Sequence, residues 1–427
     1  WYRSVPGLIR LPLVGILWLG VVAAFVVACF WGALEVHSSN DTYIGLEAGR
    51  RIMASGTFPT TDWFSFTFEG KKWFNQNWLS HVYLWLMYDQ LGPNFTIYGT
   101  WAMGMLIFFF VGGTVYLRTH SLLAALVTGA LVGFGCRDWL SARPATFQFT
   151  LMSGTWFALW ALMSQGQRKW RVWAIALLFI IFLAWPHAHG SFVFGFGLIV
   201  MVIGAEVGVQ VLRRIVFKPD KRPSWLNPIL PMWQILAVAG VFVLTFLLGI
   251  MLSPFGLDNY THPFTVTESE VFRSVSEWVP PYRKATYPPV GRFWLLMQLA
   301  GIALLCVPGL FLVDLGMNWL RSPTERGERL WGSPAAPPSP VRLQVIAIDL
   351  AALVIGLYMA MFARRFIPIL YILAAPGIAT WLLFMGSRWS PNLRLIARVS
   401  VMLVMAAFAI RLYVMTMDRY QKELVEM

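Results

Sequence analysis

The sequence predicts an all-α membrane protein, a polytopic bundle of transmembrane helices, and three observations lead to this prediction. Of the 427 residues, 58% are hydrophobic and 12% are charged, whereas soluble domains carry about 25% charged residues. Apolar runs of about 20 residues, the length that spans a bilayer core, recur along the chain. Lys and Arg are concentrated in alternate connecting segments, as expected for cytoplasmic loops.

Apolar runs of this length define eleven candidate spans. They are 12–36, 94–117, 122–136, 144–164, 172–186, 191–212, 229–252, 293–316, 343–363, 367–386 and 398–414. The shorter apolar segment 78–91 is expected to be an interfacial or re-entrant helix, because it is too short to cross the bilayer. The first span is long and polar sequence follows it, so it is interpreted as an anchor and not a cleaved signal peptide.

The Lys and Arg distribution predicts a cytoplasmic N-terminus. With that orientation and alternating spans, the inner segments hold 18 of the 33 basic residues but three of the 20 acidic residues. Positive residues on the inner side are the usual pattern of membrane proteins. The net charge of +13 therefore follows from membrane topology, and no nucleic-acid partner is expected.

Segment 321–342, rich in Pro, Ser and charge, is interpreted as a flexible cytoplasmic linker. The expected organisation is an N-terminal transmembrane module at 1–320, this linker, and C-terminal transmembrane helices at 343–427. Two long outer segments, 37–80 and 253–292, belong to the first module.

The first outer loop carries two candidate carboxylates. Helical spacing over 41–54 predicts an amphipathic helix, and Asp41 lies at its start. Asp41 is either a helix cap or a general base at the edge of a cavity. Asp62 follows a Thr-Thr pair, and a turn role and a site role are both open for it.

Polar and aromatic residues at two further places are candidate substrate contacts. A polar-aromatic cluster before the second span would bind a sugar by stacking and hydrogen bonding, or would form part of an aromatic belt. Its members are Asn75, Gln76, Asn77, Trp78 and His81. His187 and His189 form an H-x-H pair, a spacing that can ligate a metal. No third ligand lies nearby in sequence, so contact with substrate or another helix is favoured. No metal ligands are assigned, and a divalent metal cofactor stays open.

Three arginines lie at the predicted outer face. Arg143 precedes Pro144 at the start of a span, and Arg364 and Arg365 follow the span 343–363. Arginines at an apolar boundary either reach lipid headgroups or bind an anion. Arginine suits phosphate because its guanidinium donates two parallel hydrogen bonds. Arginines and carboxylates at one membrane face suit a reaction on a lipid-linked phosphate.

The order of motifs resembles bacterial membrane glycosyltransferases of the GT-C class. The resemblance is carried by DTYIGLEAGRRIMASGTFPTTDWFSFTFEGKKWFNQNWLSHVYLWLMYDQLG in the first outer loop. The later motifs RPATFQF, WPHAHGSFVFG, SPFGLDNYTHPF, SEWVPP and ARRFIP are similar to a mostly uncharacterised branch of that class. Together they cover nearly the whole chain in order.

The resemblance implies a site as well as a fold. It implies a sugar donor on a polyprenyl phosphate, an amphipathic helix in the first outer loop, and chemistry at the non-cytoplasmic face of the bacterial inner membrane. By the same resemblance, the catalytic acidic residue is Asp41, with Asp62 second. The donor-phosphate contacts are then Arg143, Arg364 and Arg365. Membrane lipids and the lipid-linked donor are the expected partners.

Two other functions remain open at this stage. One is a non-catalytic GT-C-like structural subunit of a larger complex, with other membrane subunits as partners. The other is a transporter or flippase of a lipid-linked or anionic solute, whose site would lie near the acidic residues Glu206 and Asp349 within spans. A cavity at the outer face that exposes Asp41 would favour the enzyme. A cavity filled by side chains or by a neighbouring subunit would favour the structural subunit, and a pocket at the membrane midplane would favour the transporter.

Overall fold

The structure, a computed structural model, describes residues 15–24, 26–27, 40–136, 139–164, 168–218, 226–268, 275–281, 309–310, 313, 342–387 and 389–426. Within these ranges the secondary structure is helical. In addition, Thr61 and Lys72 form an isolated antiparallel β-bridge. The all-helical prediction is therefore confirmed for the described residues.

The described helices are numbered here in chain order. In chain order they are α1 (Gly15–Ala24), α2 (Asn40–Ser55), α3 (Trp78–Leu91), α4 (Phe95–Thr119), α5 (Leu122–Cys136), α6 (Pro144–Met163), α7 (Arg168–Ala188), α8 (Phe192–Val216), α9 (Met232–Leu252), α10 (Asp258–Glu268), α11 (Leu343–Phe362), α12 (Ile367–Gly386) and α13 (Pro391–Glu426). Short 3₁₀ helices lie at Gly92–Asn94, Ser276–Trp278 and Arg364–Phe366.

Seven helical segments among the described residues are long and apolar enough to cross a membrane. They are Tyr98–Thr119, Trp170–Ala188, Phe192–Val216, Met232–Leu252, Leu343–Phe362, Arg364–Gly386 and Pro391–Arg411. The chain thus has the composition and architecture of an integral multi-pass membrane protein. The predicted linker 321–342 and nearly all of the predicted span 293–316 lie outside the described residues, as does much of 12–36, so the count of eleven spans stays a prediction.

Helix α6 lies inside the bundle, in contact with α4, α7, α8 and α12. Sixteen of its 20 residues are buried, including Trp156 and Trp160. Its buried hydroxyl groups bond to the helix backbone, as Ser153 Oγ does to the Thr150 carbonyl at 2.9 Å. Because its neighbours shield it from lipid, α6 tolerates polar residues that lower its hydropathy below that of the seven apolar segments.

The predicted first-loop helix and the short helix after it pack closely on each other. The helix predicted over 41–54 is α2, and the segment 78–91 is α3. A Cβ atom added at Gly49 would lie 2.1 Å from the His81 carbonyl oxygen, and one at Gly45 would lie 3.0 Å from the His81 ring. Only glycine fits such an approach. Helix α3 in turn contacts α4 and α7, so α2 is held against the bundle.

Candidate functional site

A cavity of about 620 Å³ lies at the end of the bundle that carries α2 and α3. This volume is within the range of about 300–1,000 Å³ that is common for small-molecule sites. The wall combines residues of α2, α3, α6, α10 and α11 with the connecting segments 73–77, 189–191 and 276–278. Parts of the chain far apart in sequence therefore build one site.

Six of the ten predicted site residues line this cavity. They are Asp41, Asn75, His81, Arg143, His189 and Arg365. The remaining lining is largely aromatic and apolar, with Phe74, Phe194, Trp278, Tyr358 and Phe366 among its members. One part of the cavity wall is therefore polar and charged, and the other part is apolar.

Asp41 lies in the first turn of α2 and is exposed at the cavity edge. Among the described residues, its carboxylate accepts no hydrogen bond and joins no ion pair. A helix cap would bond to a backbone N–H two or three residues on, and no such bond is present within that part of the chain. The carboxylate is thus available to a ligand in the cavity.

Two arginines form the cationic side of the cavity. Arg143 Nη1 donates to Glu277 Oε1. The Arg365 guanidinium stacks over the Trp278 ring, 4.7 Å from its centroid. No carboxylate among the described residues lies within ion-pair distance of Arg365. One guanidinium is therefore paired and the other is held by an aromatic ring.

His189 adds a neutral hydrogen-bond donor beside these cations. The backbone N–H of Ser191 donates to His189 Nδ1 at 3.2 Å, so the ring proton of the neutral form is assigned to Nε2. Burial, together with the smaller effects of the charges on Arg365 and Arg143, lowers the pKa of His189 to about 3. At neutral pH His189 is therefore uncharged and donates through Nε2.

Asn75 is a buried amide without a partner. Its side chain is 3% exposed, and neither Oδ1 nor Nδ2 has a hydrogen bond within the described residues. Buried polar groups are normally bonded, and an unsatisfied one costs about 1–3 kcal/mol. Because Asn75 lines the cavity, a ligand that offers both a donor and an acceptor, such as a hydroxylated ring, would satisfy it.

Hydrogen bonds between distant motifs fix the segment that carries Asn75. Gln76 Nε2 donates to the Asn259 carbonyl at 2.8 Å, and Asn259 Nδ2 donates to the Pro186 carbonyl at 2.8 Å. Ser80 Oγ donates to the Ala188 carbonyl at 2.6 Å. At Gly190 an added Cβ atom would lie 2.8 Å from Gln76 Oε1, so this loop packs closely on the Gln76 side chain. The site is thus held by buried polar contacts.

Three predicted site residues lie near the cavity but do not line it. The Trp78 ring lies 5.3 Å from the His187 ring and 5.0 Å from Phe58. His187 is buried, and neither ring nitrogen is hydrogen-bonded among the described residues. Arg364 donates its backbone N–H to the Val279 carbonyl at 3.3 Å. These residues support the wall and would reach a ligand only after rearrangement.

Asp62, the second predicted catalytic residue, also lies outside the cavity lining and caps a turn. Its carboxylate accepts the backbone N–H groups of Phe64 at 2.7 Å and Ser65 at 3.0 Å, and the Ser65 hydroxyl at 3.0 Å. The Ser65 and Phe64 bonds lower the pKa of Asp62 against the opposing effect of desolvation. These contacts favour the turn role, and a catalytic role for Asp62 stays a prediction.

Sequence reasoning did not single out Trp278, and it gave no pairing for Glu277. The Arg143–Glu277 pair joins positions 134 residues apart, and no local pattern reports such a pairing. Among the described residues there is no group of three or more His, Cys, Asp or Glu that could hold a metal ion. Metal dependence therefore remains open.

Comparison with known proteins adds no assignment, since no family model matches the chain and no curated protein is significantly similar to it.

Proposed function

We propose that the protein is a GT-C-type glycosyltransferase, which moves a sugar from a polyprenyl-phosphate donor to an acceptor at the non-cytoplasmic membrane face. The observation that carries this proposal is the cavity lined by Asp41, Arg143, His189 and Arg365, in which the Asp41 carboxylate has no hydrogen-bond or ion-pair partner among the described residues. This combination of a base and an anion-binding wall is the arrangement that sugar transfer from a phosphate requires.

The chemistry assigns one role to each group. Asp41 accepts the proton of the acceptor hydroxyl while that oxygen bonds to the anomeric carbon of the donor sugar. The bond between that carbon and the phosphate oxygen breaks, and the electron pair leaves with the phosphate. Arg365, Arg143 and the Nε2–H of His189 stabilise the departing anion. The attack and the departure occur on opposite sides of the anomeric carbon, so the configuration inverts.

The membrane placement follows from the charge pattern. We place the N-terminus in the cytoplasm of a bacterial cell, eleven spans in the inner membrane, and the cavity on the outer side. In support, Arg213 and Arg214 lie in the last turn of α8, and Val193 and Phe194 at the start of that helix line the cavity. Arg118 likewise lies in the last turn of α4. The excess of positive residues is then cytoplasmic.

The two other functions have less support. Glu206 accepts the backbone N–H of Ile229 at 3.0 Å, and Asp349 is paired with Arg118, so these two acids have partners and neither lines the cavity. A transporter would need such groups for its solute. A structural subunit has no need of a buried amide that faces a cavity and has no partner among the described residues, as Asn75 does.

The test begins with the protein extracted together with its native lipids. Mass spectrometry should find a sugar-linked polyprenyl phosphate, and a density map should place its headgroup between Asp41 and Arg365. Asp41→Asn should abolish sugar transfer to the cellular acceptor. Glu47→Gln is the matched control, because Glu47 lies on the same helix and pairs with Arg50 and Arg51 outside the cavity. Full transfer by Asp41→Asn would contradict the proposal.

A further inference from the structure

Glu277 and Trp278 of segment 275–281 line the cavity, and each is in contact with one of the two arginines of the site. Glu277 pairs with Arg143, and Trp278 lies under the Arg365 guanidinium. Residue 279 accepts a hydrogen bond from the Arg364 backbone. The groups suited to bind a phosphate therefore also hold this wall in place.

The Glu277 carboxylate occupies a place that suits a phosphate. It accepts from Arg143, and its charge also acts on Arg365. A carboxylate and a phosphate both accept hydrogen bonds from guanidinium groups. Arg143 Nε is buried without a partner within the described residues, so it is a donor that Glu277 leaves unused. A tetrahedral phosphate has more acceptor oxygens than the carboxylate.

The two members of this ion pair differ in exposure. The Arg143 side chain is 13% exposed and that of Glu277 is 35% exposed. Because Glu277 is already partly exposed, its carboxylate can turn into water, where it is hydrated. Arg143 would then remain in the wall with an unpaired charge. Unpaired buried charges are strongly unfavourable. An anion must therefore replace Glu277 when it leaves.

The geometry points to the seat of the Glu277 carboxylate at Arg143, in the cavity wall that also carries Arg365, as the anion subsite of the cavity. Its ligand is a phosphate group, and binding of that phosphate displaces Glu277 and loosens segment 275–281. This inference rests on the proposed function for the identity of the donor. It adds that the Glu277 carboxylate competes with the donor phosphate for Arg143. Binding of the donor and loosening of segment 275–281 are therefore coupled.

The experiment uses the full-length protein in nanodiscs of phosphatidylcholine at low ionic strength. The probes are inorganic phosphate, farnesyl phosphate and farnesol, with binding followed by calorimetry. Glu277→Gln should bind the phosphate probes about fivefold more tightly, the gain expected from removing one partly exposed competing ion pair. Glu47→Gln removes a comparably exposed carboxylate that is paired with arginines outside the cavity, and should leave binding unchanged.

Hydrogen exchange on the unmodified protein gives an independent readout. Farnesyl phosphate should increase exchange of the backbone amides at 275–279, whereas a ligand that simply covered this wall would decrease it. Tighter binding of farnesyl phosphate than of inorganic phosphate would identify a lipid headgroup as the ligand, and equal binding would identify free phosphate. Farnesol, which lacks the phosphate, should bind equally to the unmodified protein and to both variants.

Unchanged or weaker phosphate binding by Glu277→Gln would overturn the inference, as would decreased exchange at 275–279 in the unmodified protein. Glu277 would then only orient Arg143. The transferase proposal would survive that result if Asp41→Asn still abolished transfer. Conversely, Asp41→Asn could remain active while Glu277→Gln binds phosphate more tightly. That result would contradict the transferase proposal and support the anion subsite.

Discussion

Arg118 near the end of α4 and Asp349 in α11 form a bidentate ion pair, with nitrogen–oxygen distances of 2.8 and 2.6 Å across 231 positions of sequence. Their side chains are 3% and 1% exposed. The guanidinium also lies over the Trp160 ring, 3.8 Å from its centroid. This pair joins helices on either side of the predicted linker.

Breaking the Arg118–Asp349 pair should be costly, because the remaining charge would be buried without a partner. Asp349→Asn is expected to lower the free energy of unfolding by about 3–5 kcal/mol. The double variant Arg118→Met and Asp349→Leu should recover most of the loss, since apolar replacements of a buried pair are often tolerated. Unfolding in detergent measures both. A double variant as unstable as the single one would contradict this account.

Gly49 should tolerate no side chain. In Gly49→Ala the new Cβ would meet the His81 carbonyl oxygen, which is fixed in α3, and overpacking of this kind costs about 1–3 kcal/mol. Gly204→Ala is the control, because a Cβ there meets no atom within 4 Å, and in a helix it should stabilise by up to about 1 kcal/mol. Thermal unfolding should separate the two, and equal effects would mean that α2 is not packed as described.

Replacement by Leu should have opposite effects on stability at the adjacent residues Asn75 and Gln76. Asn75→Leu removes an unpaired buried amide, so it should leave stability unchanged or raise it while it weakens substrate binding. Gln76→Leu leaves the Asn259 carbonyl unpaired, which should cost about 1–3 kcal/mol. Melting curves combined with a transfer assay test this pair. A destabilised Asn75→Leu would show that Asn75 is structural.

Acid should destabilise the protein through His81. Burial lowers the pKa of His81 from 6.5 to about 4. Between these values the unfolded chain binds the proton and the folded chain does not, so stability falls as pH decreases from 6.5 to 4. The slope contributed by this group is at most about 1.4 kcal/mol per pH unit. His81→Asn should flatten the profile, and His120→Asn, at an exposed position, should not.

The adjacent arginines should contribute unequally to transfer. Arg365 lines the cavity and Arg364 does not. If Arg365 stabilises the leaving phosphate, Arg365→Gln should lower kcat about 100-fold to 1,000-fold. Arg364→Gln should have a much smaller effect on kcat. Steady-state kinetics with a polyprenyl-phosphate sugar measures both, and a reversed order would assign the phosphate contact to Arg364.

The helices could be predicted because the signals that define them are local. Apolar length and spacing placed the predicted spans 122–136 and 367–386 at the bounds of α5 and α12. The first-loop pattern likewise indicated α2 and α3. Tertiary packing decided the interior position of α6, since the polar residues of that helix depend on neighbours that shield it from lipid.

The residue types of the site could also be selected from the sequence, through charge asymmetry and motif order. That reasoning selected Asp41, Asn75, Arg143, His189 and Arg365, which all line one cavity. For Asp41 and Asp62 it left a cap role and a site role open, because these roles differ only in the hydrogen bonds that the carboxylate makes in the folded chain.

The sequence by itself determined a helical membrane protein with polar chemistry concentrated at one end, because hydropathy and charge are summed over local stretches of chain. Tertiary structure alone decided which groups are free and which are paired. It paired Arg143 with Glu277 and left Asn75 without a partner among the described residues. The physical reason is that hydrogen bonds and ion pairs act over about 3–4 Å, and only the folded chain brings distant residues that close.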